Sequence, residues 1–156
     1  MNLYIVTLFL HSYLRWVVLA AALWMCCLSI AGWARKQPWS ALYERSHQVL
    51  VGGADLQFTL GVILYLFLSP FSDTFFANMR GGLREPVLRF FGLEHILGMF
   101  IGVGLVHLGR TLSLKAAGPA RHKRVCLCTV GALLVMLGST PWPFLKYGRP
   151  LLRVLG

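Results

Sequence analysis

The sequence predicts an all-α integral membrane protein, an up-down-up-down bundle of four spanning helices within one domain, residues 1–156. Hydrophobic residues make up 57% of the chain and charged residues 13%, whereas an ordinary soluble domain is about 25% charged. Mean hydropathy is +0.67. The apolar residues fall in runs of about 20, the length that crosses a bilayer, and lipid offers no partner for unpaired backbone groups, so these runs must be helices.

This composition excludes a soluble enzyme, a disordered chain and a nucleic-acid-binding domain, although the net charge is +10. Most basic residues crowd into short gaps between apolar runs, where they can meet lipid headgroups. We therefore expect the bilayer to be the partner of this positive charge and expect no nucleic acid.

The predicted spans follow from the apolar runs and the prolines. They lie at about 3–33, 47–68, 90–112 and 125–145. Pro70 stops the second, and Pro141 and Pro143 bend or end the fourth. The N-terminus lacks the basic region of a signal peptide, so we assign it to the first span.

The connections differ in character. The first and third are short, which predicts antiparallel neighbours. The second, at about 69–89, mixes Phe with Arg, and either an interfacial segment on the membrane surface or an ordinary loop is consistent with it. Eight basic residues lie on the side of connections one and three and six on the other, so the positive-inside rule predicts both termini outside.

Histidines in two of the spans are candidate haem ligands. His11 lies about 12 Å deep in span one, at 1.5 Å per residue, and His95 lies at a similar depth in span three because both spans start on the same side. A helix bundle holds haem between one axial His from each of two helices. Gly98 and Gly102 follow His95 on its own face and would let a flat ligand approach, or would simply pack against another helix.

Charged groups at membrane depth are costly and so become functional hypotheses. Arg15 shares a helix face with His11, and Asp55 in span two reaches a similar level. We predict a buried Arg15–Asp55 ion pair, with Glu94 as a rival partner. The pair would act as a structural latch, or would form a proton path or tune a redox group beside Arg15.

The remaining histidines and the cysteines give weaker candidates. His47 and His107 are a second haem pair in principle, but His95 and His107 are out of phase on their helix, so we expect one haem. Cys26, Cys27, Cys126 and Cys128 are expected to be apolar fillers, with a thiol pair or soft-metal site as the alternative.

Several short motifs together resemble a known family. They are His11-Ser12-x-x-Arg15-Trp16, Asp55-Leu56-Gln57 followed by Gly61, Glu94-His95, and Pro141-Trp142-Pro143. This set is similar to a family of small four-helix bacterial membrane proteins labelled cytochrome b, found in Bacteroidetes and their relatives, and the build is similar to that of cytochrome b561-type bundles without their two-haem spacing. The resemblance implies a haem b protein with His11 and His95 as axial ligands, in a larger electron-transfer assembly.

The sequence therefore predicts an electron carrier or subunit rather than a stand-alone enzyme. We expect one haem b, electron exchange with a quinone or with other membrane subunits and redox proteins, and contacts from Arg84 and Arg89 to the haem propionates. Two alternatives stay open. One is a haem-free structural or assembly subunit; the other is a small transporter or proton-conducting protein in which Arg15, Asp55 and Glu94 form the path.

Overall fold

The computed structural model describes residues 2–152, and these residues are helical with no β-strand. The helices are α1 (Leu3–Ala34), α2 (Ala41–Ile63), α3 (Pro70–Ala77), α4 (Met79–Gly82), α5 (Pro86–Arg89), α6 (His95–Leu114) and α7 (Pro119–Gly138). Two π-helical turns extend this pattern, Leu64–Leu68 after α2 and Phe90–Glu94 before α6. The predicted all-α class is confirmed.

The four longest helices form a ring in which each contacts its neighbours in chain order and the last contacts the first. α1 contacts α2 and α7, and α6 contacts α7 and α2, so α1 and α6 lie diagonally across the assembly. The core between them consists of small and medium apolar side chains that are almost fully buried: Ala22, Met25, Leu50, Ala54, Val106, Val125 and Ala132. Burial of such side chains is the main driving force for packing in water, and close packing holds helices together in lipid.

Three helical stretches are long and apolar enough to cross a membrane: Leu3–Ala34, Ala41–Leu68 and Pro86–Leu114. Helix α7 differs because Arg121, Lys123 and Arg124 occupy its first two turns. Only its last 14 residues, 125–138, are free of charge. The first three predicted spans are thus long apolar helices, and the fourth is a shorter apolar segment behind a basic start.

The helix boundaries differ from the predicted ones mainly at polar residues. α2 begins at Ala41, six residues before the predicted start at His47, because a helix continues through polar residues wherever packing supports it. α7 ends at Gly138 rather than near residue 145. The chain leaves the helix at Ser139, just before Pro141, which disfavours helical backbone in the residue preceding it.

We call the end where α1 begins the proximal end; it also contains α3–α5 and residues 139–152. The opposite end, with residues 35–40 and 115–118, is the distal end. For residues 69–89 the sequence allowed either an interfacial segment or an ordinary loop, and the structure has short helices there. Phe75 of α3 is buried against Gly82 and Gly92, and the Tyr65 hydroxyl donates to the Gly92 carbonyl at 2.7 Å. These contacts tie the two π turns together over the proximal end.

Candidate functional site

His11 and His95 face each other inside the helix assembly. Their ring centres are 6.4 Å apart and the ring planes are inclined by 75°. The rings come from the diagonal helices α1 and α6, and both line a cavity of about 140 Å³ that lies between the long helices at the proximal end. The structure thus brings both imidazoles to one cavity.

The His95 ring is held by a backbone carbonyl. Its Nδ1 lies 2.6 Å from the Ser139 carbonyl oxygen, which can only accept, so Nδ1 carries the hydrogen and Nε2 keeps a free lone pair. Such a bond from the second ring nitrogen fixes the tautomer and orientation of metal-binding histidines. Phe90 packs on the same ring, with the ring centres 5.6 Å apart. Nothing in the sequence indicates this role for Ser139.

The His11 ring is held from α2. The Gln57 amide nitrogen lies 3.3 Å from His11 Nε2 and 3.0 Å from the His11 carbonyl oxygen. A Cβ at Gly61 would lie 3.1 Å from His11 Cε1, so glycine there gives the ring its room. His11 Nδ1 is buried and has no hydrogen-bond partner within residues 2–152. One ring nitrogen of His11 thus lacks the partner that a buried polar group normally has.

Two arginines add positive charge to a largely apolar cavity lining. Arg15 donates to the Leu151 carbonyl oxygen at 2.9 Å, and the Arg149 guanidinium lies over the rings of Phe71 and Phe91, 4.6 and 4.9 Å from their centres. Further lining residues are apolar: Val18, Leu19, Phe58, Met99 and Val103. Such a cavity suits a flat apolar ligand with an anionic or carbonyl group near the arginines.

The predicted Arg15–Asp55 pair is wrong, because Asp55 has another partner. Its carboxylate accepts from His107 Nε2 at 2.7 Å. The depth of Asp55 along α2 could be estimated from the sequence, but the direction in which its side chain points could not. Asp55 precedes Gln57 by two residues, or about 200°, so Gln57 points to the cavity and Asp55 points away.

The rival partner of Arg15 is also engaged elsewhere. Glu94 accepts from Arg89 at 2.6 Å at the proximal end. Arg89, predicted to meet haem propionates, is therefore bound to a carboxylate. Neither Arg89 nor Arg84 is among the cavity-lining residues, whereas Arg15 and Arg149 are.

Gly98 and Gly102 face the last helix and the segment after it. A Cβ at Gly98 would collide with the Ser139 side chain, and one at Gly102 would lie 2.8 Å from Met136 Cγ. Both glycines are buried. Both glycines therefore match the helix-packing alternative. Gly98 also leaves room for the segment after α7, in which the Ser139 carbonyl binds His95.

The distal end holds a polar cluster of its own. Glu44 of α2 pairs with Arg110 of α6 and with Arg121 of α7, and the Trp39 indole donates to it at 3.0 Å. His122 is fully buried beside it, and its Nε2 donates to the Gln37 carbonyl at 2.9 Å. This cluster joins three long helices and has the character of a structural network.

The weaker sequence candidates are not brought together as a site. His47 is fully buried, whereas His107 is 48% exposed and bound to Asp55. All four cysteines are free thiols, with Cys26 and Cys126 buried. Within residues 2–152 no group of three or more His, Cys, Asp or Glu side chains is arranged to hold a metal ion.

Comparison with known proteins gives no match for this chain among family models, curated proteins or solved structures.

Proposed function

We propose that the chain is a four-helix integral membrane cytochrome of the b type, which carries electrons through one haem between His11 and His95. The membrane part of the proposal is supported by the three long apolar helices and by the large hydrophobic side chains that these helices expose, such as Val17, Leu23, Phe67 and Phe100. Exposed apolar surface of this extent is stable in contact with lipid tails rather than water. α7 completes the set as a shorter fourth span.

The observation that carries the haem proposal is the spacing of the two rings. A bond from a metal ion to an imidazole nitrogen is about 2.0 Å, and the ring centre lies about 1.1 Å behind that nitrogen, so two rings on opposite sides of one ion have centres about 6 Å apart. The observed separation of 6.4 Å between His11 and His95 fits this value. Each ring can rotate about the line that joins the two nitrogens through the ion, so the 75° inclination of the ring planes is compatible with binding to one ion.

The donor set also fits a haem. His95 offers Nε2 while Ser139 holds Nδ1, and the neutral His11 ring would offer the Nε2 lone pair that faces the Gln57 amide nitrogen in this structure. Bis-His haem supplies one-electron transfer and leaves no open position for oxygen. The chain itself would orient both rings, exclude water with its apolar lining, and place Arg15 and Arg149 where carboxylates of the cofactor can meet them.

The cavity size sets a condition on this proposal. A cavity of about 150 Å³ holds a benzene-sized ring, and the observed 140 Å³ is close to that. A porphyrin is several times larger, so its entry requires the proximal end to open. Ser69, Phe71, Ser72 and Pro150 line the cavity there, in a short helix and in loops that can move without breaking a long helix.

The same cavity size favours a second candidate, a site for the single ring of a quinone. The imidazole of His11, through Nδ1, and the guanidinium of Arg15 would donate to its carbonyl oxygens, while the ring hydrogen of His95 stays with the Ser139 carbonyl. The transporter alternative has less support, because its three groups have separate neighbours: Asp55 meets His107, Glu94 meets Arg89, and Arg15 lines the cavity. In either electron-transfer role, the chain would act in the bacterial inner membrane with other membrane subunits or redox proteins, with both termini outside.

The experiment is a haem analysis of the protein purified from membranes in mild detergent. We expect a Soret band, a b-type α-band after reduction, and one haem per chain. His11→Ala and His95→Ala should each lose the haem, while the control His107→Ala should keep it. His95→Gly should regain its spectrum when imidazole is added, since free imidazole can replace the missing ligand without repairing a folding defect.

Two results would contradict the haem proposal. Full haem content in His95→Ala removes that residue from the site. A colourless wild-type protein from haem-supplied cells, with a quinone in its organic extract at one per chain, replaces haem with the quinone candidate.

A further inference from the structure

The outward face of α2 and α6 carries an ion pair in an unusual place. His107 Nε2 donates to Asp55 Oδ1 at 2.7 Å, and the two side chains are 48% and 49% exposed. Asp55 lies 14 residues from the start of the Ala41–Leu68 stretch and 13 from its end, about 20 Å from either at 1.5 Å per residue. His107 lies seven residues, about 10 Å, from the end of the Pro86–Leu114 stretch. In the proposed membrane placement this pair therefore lies inside the bilayer and faces outward.

Lipid is a poor neighbour for such a pair. Ionisable groups inside a bilayer are costly and almost always face protein or a water-filled cavity. The cavity with His11 and His95 does not serve this role, because neither Asp55 nor His107 is among its lining residues. The surface of another protein molecule must therefore cover the pair.

Both helices present the same residue pattern around the pair. Gly52, Asp55 and Thr59 of α2 have the spacing of Gly104, His107 and Thr111 of α6, and each set lies within a 60° sector of its helix. All six are exposed. Each threonine hydroxyl donates to the carbonyl of the ionisable residue one turn earlier.

The two glycines leave space for a close approach. A Cβ at either Gly52 or Gly104 would meet nothing within 4 Å, so neither glycine is needed by the packing of its own chain. Small residues on an exposed helix face let another helix pack backbone to backbone in lipid. Toward the proximal end the face continues as an apolar groove lined by Phe58, Leu66, Leu97 and Phe100.

We infer that this face binds a second copy of the chain, forming a homodimer with its twofold axis along the membrane normal. Such an axis keeps every residue at its depth, so the carboxylate of Asp55 on one copy and the imidazole of His107 on the other lie at matching levels. A face that carries both the acceptor and the donor is complementary to itself, as an isologous interface requires. The inference rests on the proposed membrane placement and not on the haem.

The test is the oligomeric state of the purified chain in mild detergent and in lipid nanodiscs, measured by native mass spectrometry. We expect a dimer of the 17.4 kDa chain. Gly52→Leu and Gly104→Leu, which add bulk to the face, should each raise the dimer dissociation constant at least tenfold. Gly138→Leu is the matched control, since Gly138 is also exposed with nothing within 4 Å of an added Cβ, and it should remain dimeric.

A second measurement locates the interface. In a chain with all four native cysteines replaced by alanine, Leu56→Cys and Leu108→Cys flank the ion pair, and together they should cross-link between copies with a short bis-maleimide. Leu134→Cys on the exposed surface of α7 should not. Cross-linking and haem content are read on the same preparations, so loss of one is distinguishable from loss of the other.

The inference is overturned by a monomeric wild-type chain in both media, by dimers that persist in Gly52→Leu and Gly104→Leu, or by a face covered by a different protein. Release of the chain from membranes by alkaline carbonate would instead refute the membrane placement on which it rests.

Discussion

Three glycines on α6 provide a graded test of how the site is built. We expect Gly98→Ala to destabilise the protein most, Gly102→Ala less, and Gly104→Ala not at all. An added Cβ at Gly98 would collide with the Ser139 hydroxyl and lie 2.7 Å from its Cβ. At Gly102 the neighbour is the flexible Met136 side chain, whose Cγ would lie 2.8 Å away, and at Gly104 there is no neighbour within 4 Å.

The magnitudes follow from these contacts. Overpacking a filled site costs about 1–3 kcal/mol, while alanine in place of a helical glycine gains about 0.5–1 kcal/mol. Gly104→Ala should therefore raise the free energy of unfolding by about 0.5–1 kcal/mol, and Gly98→Ala should lower it by about 0.5–2 kcal/mol after that gain is subtracted. Because Ser139 also holds His95, Gly98→Ala should weaken haem retention as well.

The assay is unfolding by titration with SDS, followed by circular dichroism, at dilutions where the chain is monomeric so that the dimer contact of Gly104 does not contribute. Haem content is measured beforehand on the same samples. Equal stability of Gly98→Ala and Gly104→Ala would refute the packing of Gly98 against Ser139. Loss of stability with unchanged haem content would refute the coupling of Ser139 to His95.

Two further predictions concern residues away from the cavity. Glu44→Gln should lower the free energy of unfolding by about 2–3 kcal/mol, because Arg110 and Arg121 both lose their carboxylate partner; the exposed Asp73→Asn is the control, and an equal effect of the two would contradict the network. Gly118→Ala should cost about 1–3 kcal/mol, since its φ of 54° and ψ of −143° suit only glycine, and an unchanged SDS midpoint would show that this turn adopts another conformation.

Part of the site was predictable because the depth of a residue along a helix follows from the number of residues before it. His11 and His95 lie in parallel helices at similar distances from the proximal end, so their shared depth could be predicted from the spacing alone. Ser139 could not be predicted as the partner of His95. It contributes a backbone carbonyl from an irregular segment, and a carbonyl leaves no trace in the identity of its residue.

Rotation about a helix axis was the information that the sequence lacked. Arg15 and Asp55 have matching depths, but the structure turns Asp55 toward α6 and His107. A helix that is apolar on all sides has no polar stripe to indicate which side faces inward. The same reason hid the role of Gln57, which shares the cavity face of α2 with Gly61.

The π turns at Leu64–Leu68 and Phe90–Glu94 imply a particular tolerance to changes in chain length. A π turn holds one residue more than an α-helical turn. Deleting one residue between 90 and 94 would restore an ordinary helix and, because the lost residue is the extra one of the π turn, would leave α3–α5 in nearly the same orientation relative to His95. Homologous chains shorter by one residue here would therefore retain the histidine pair, α7 and the same short helices over the cavity.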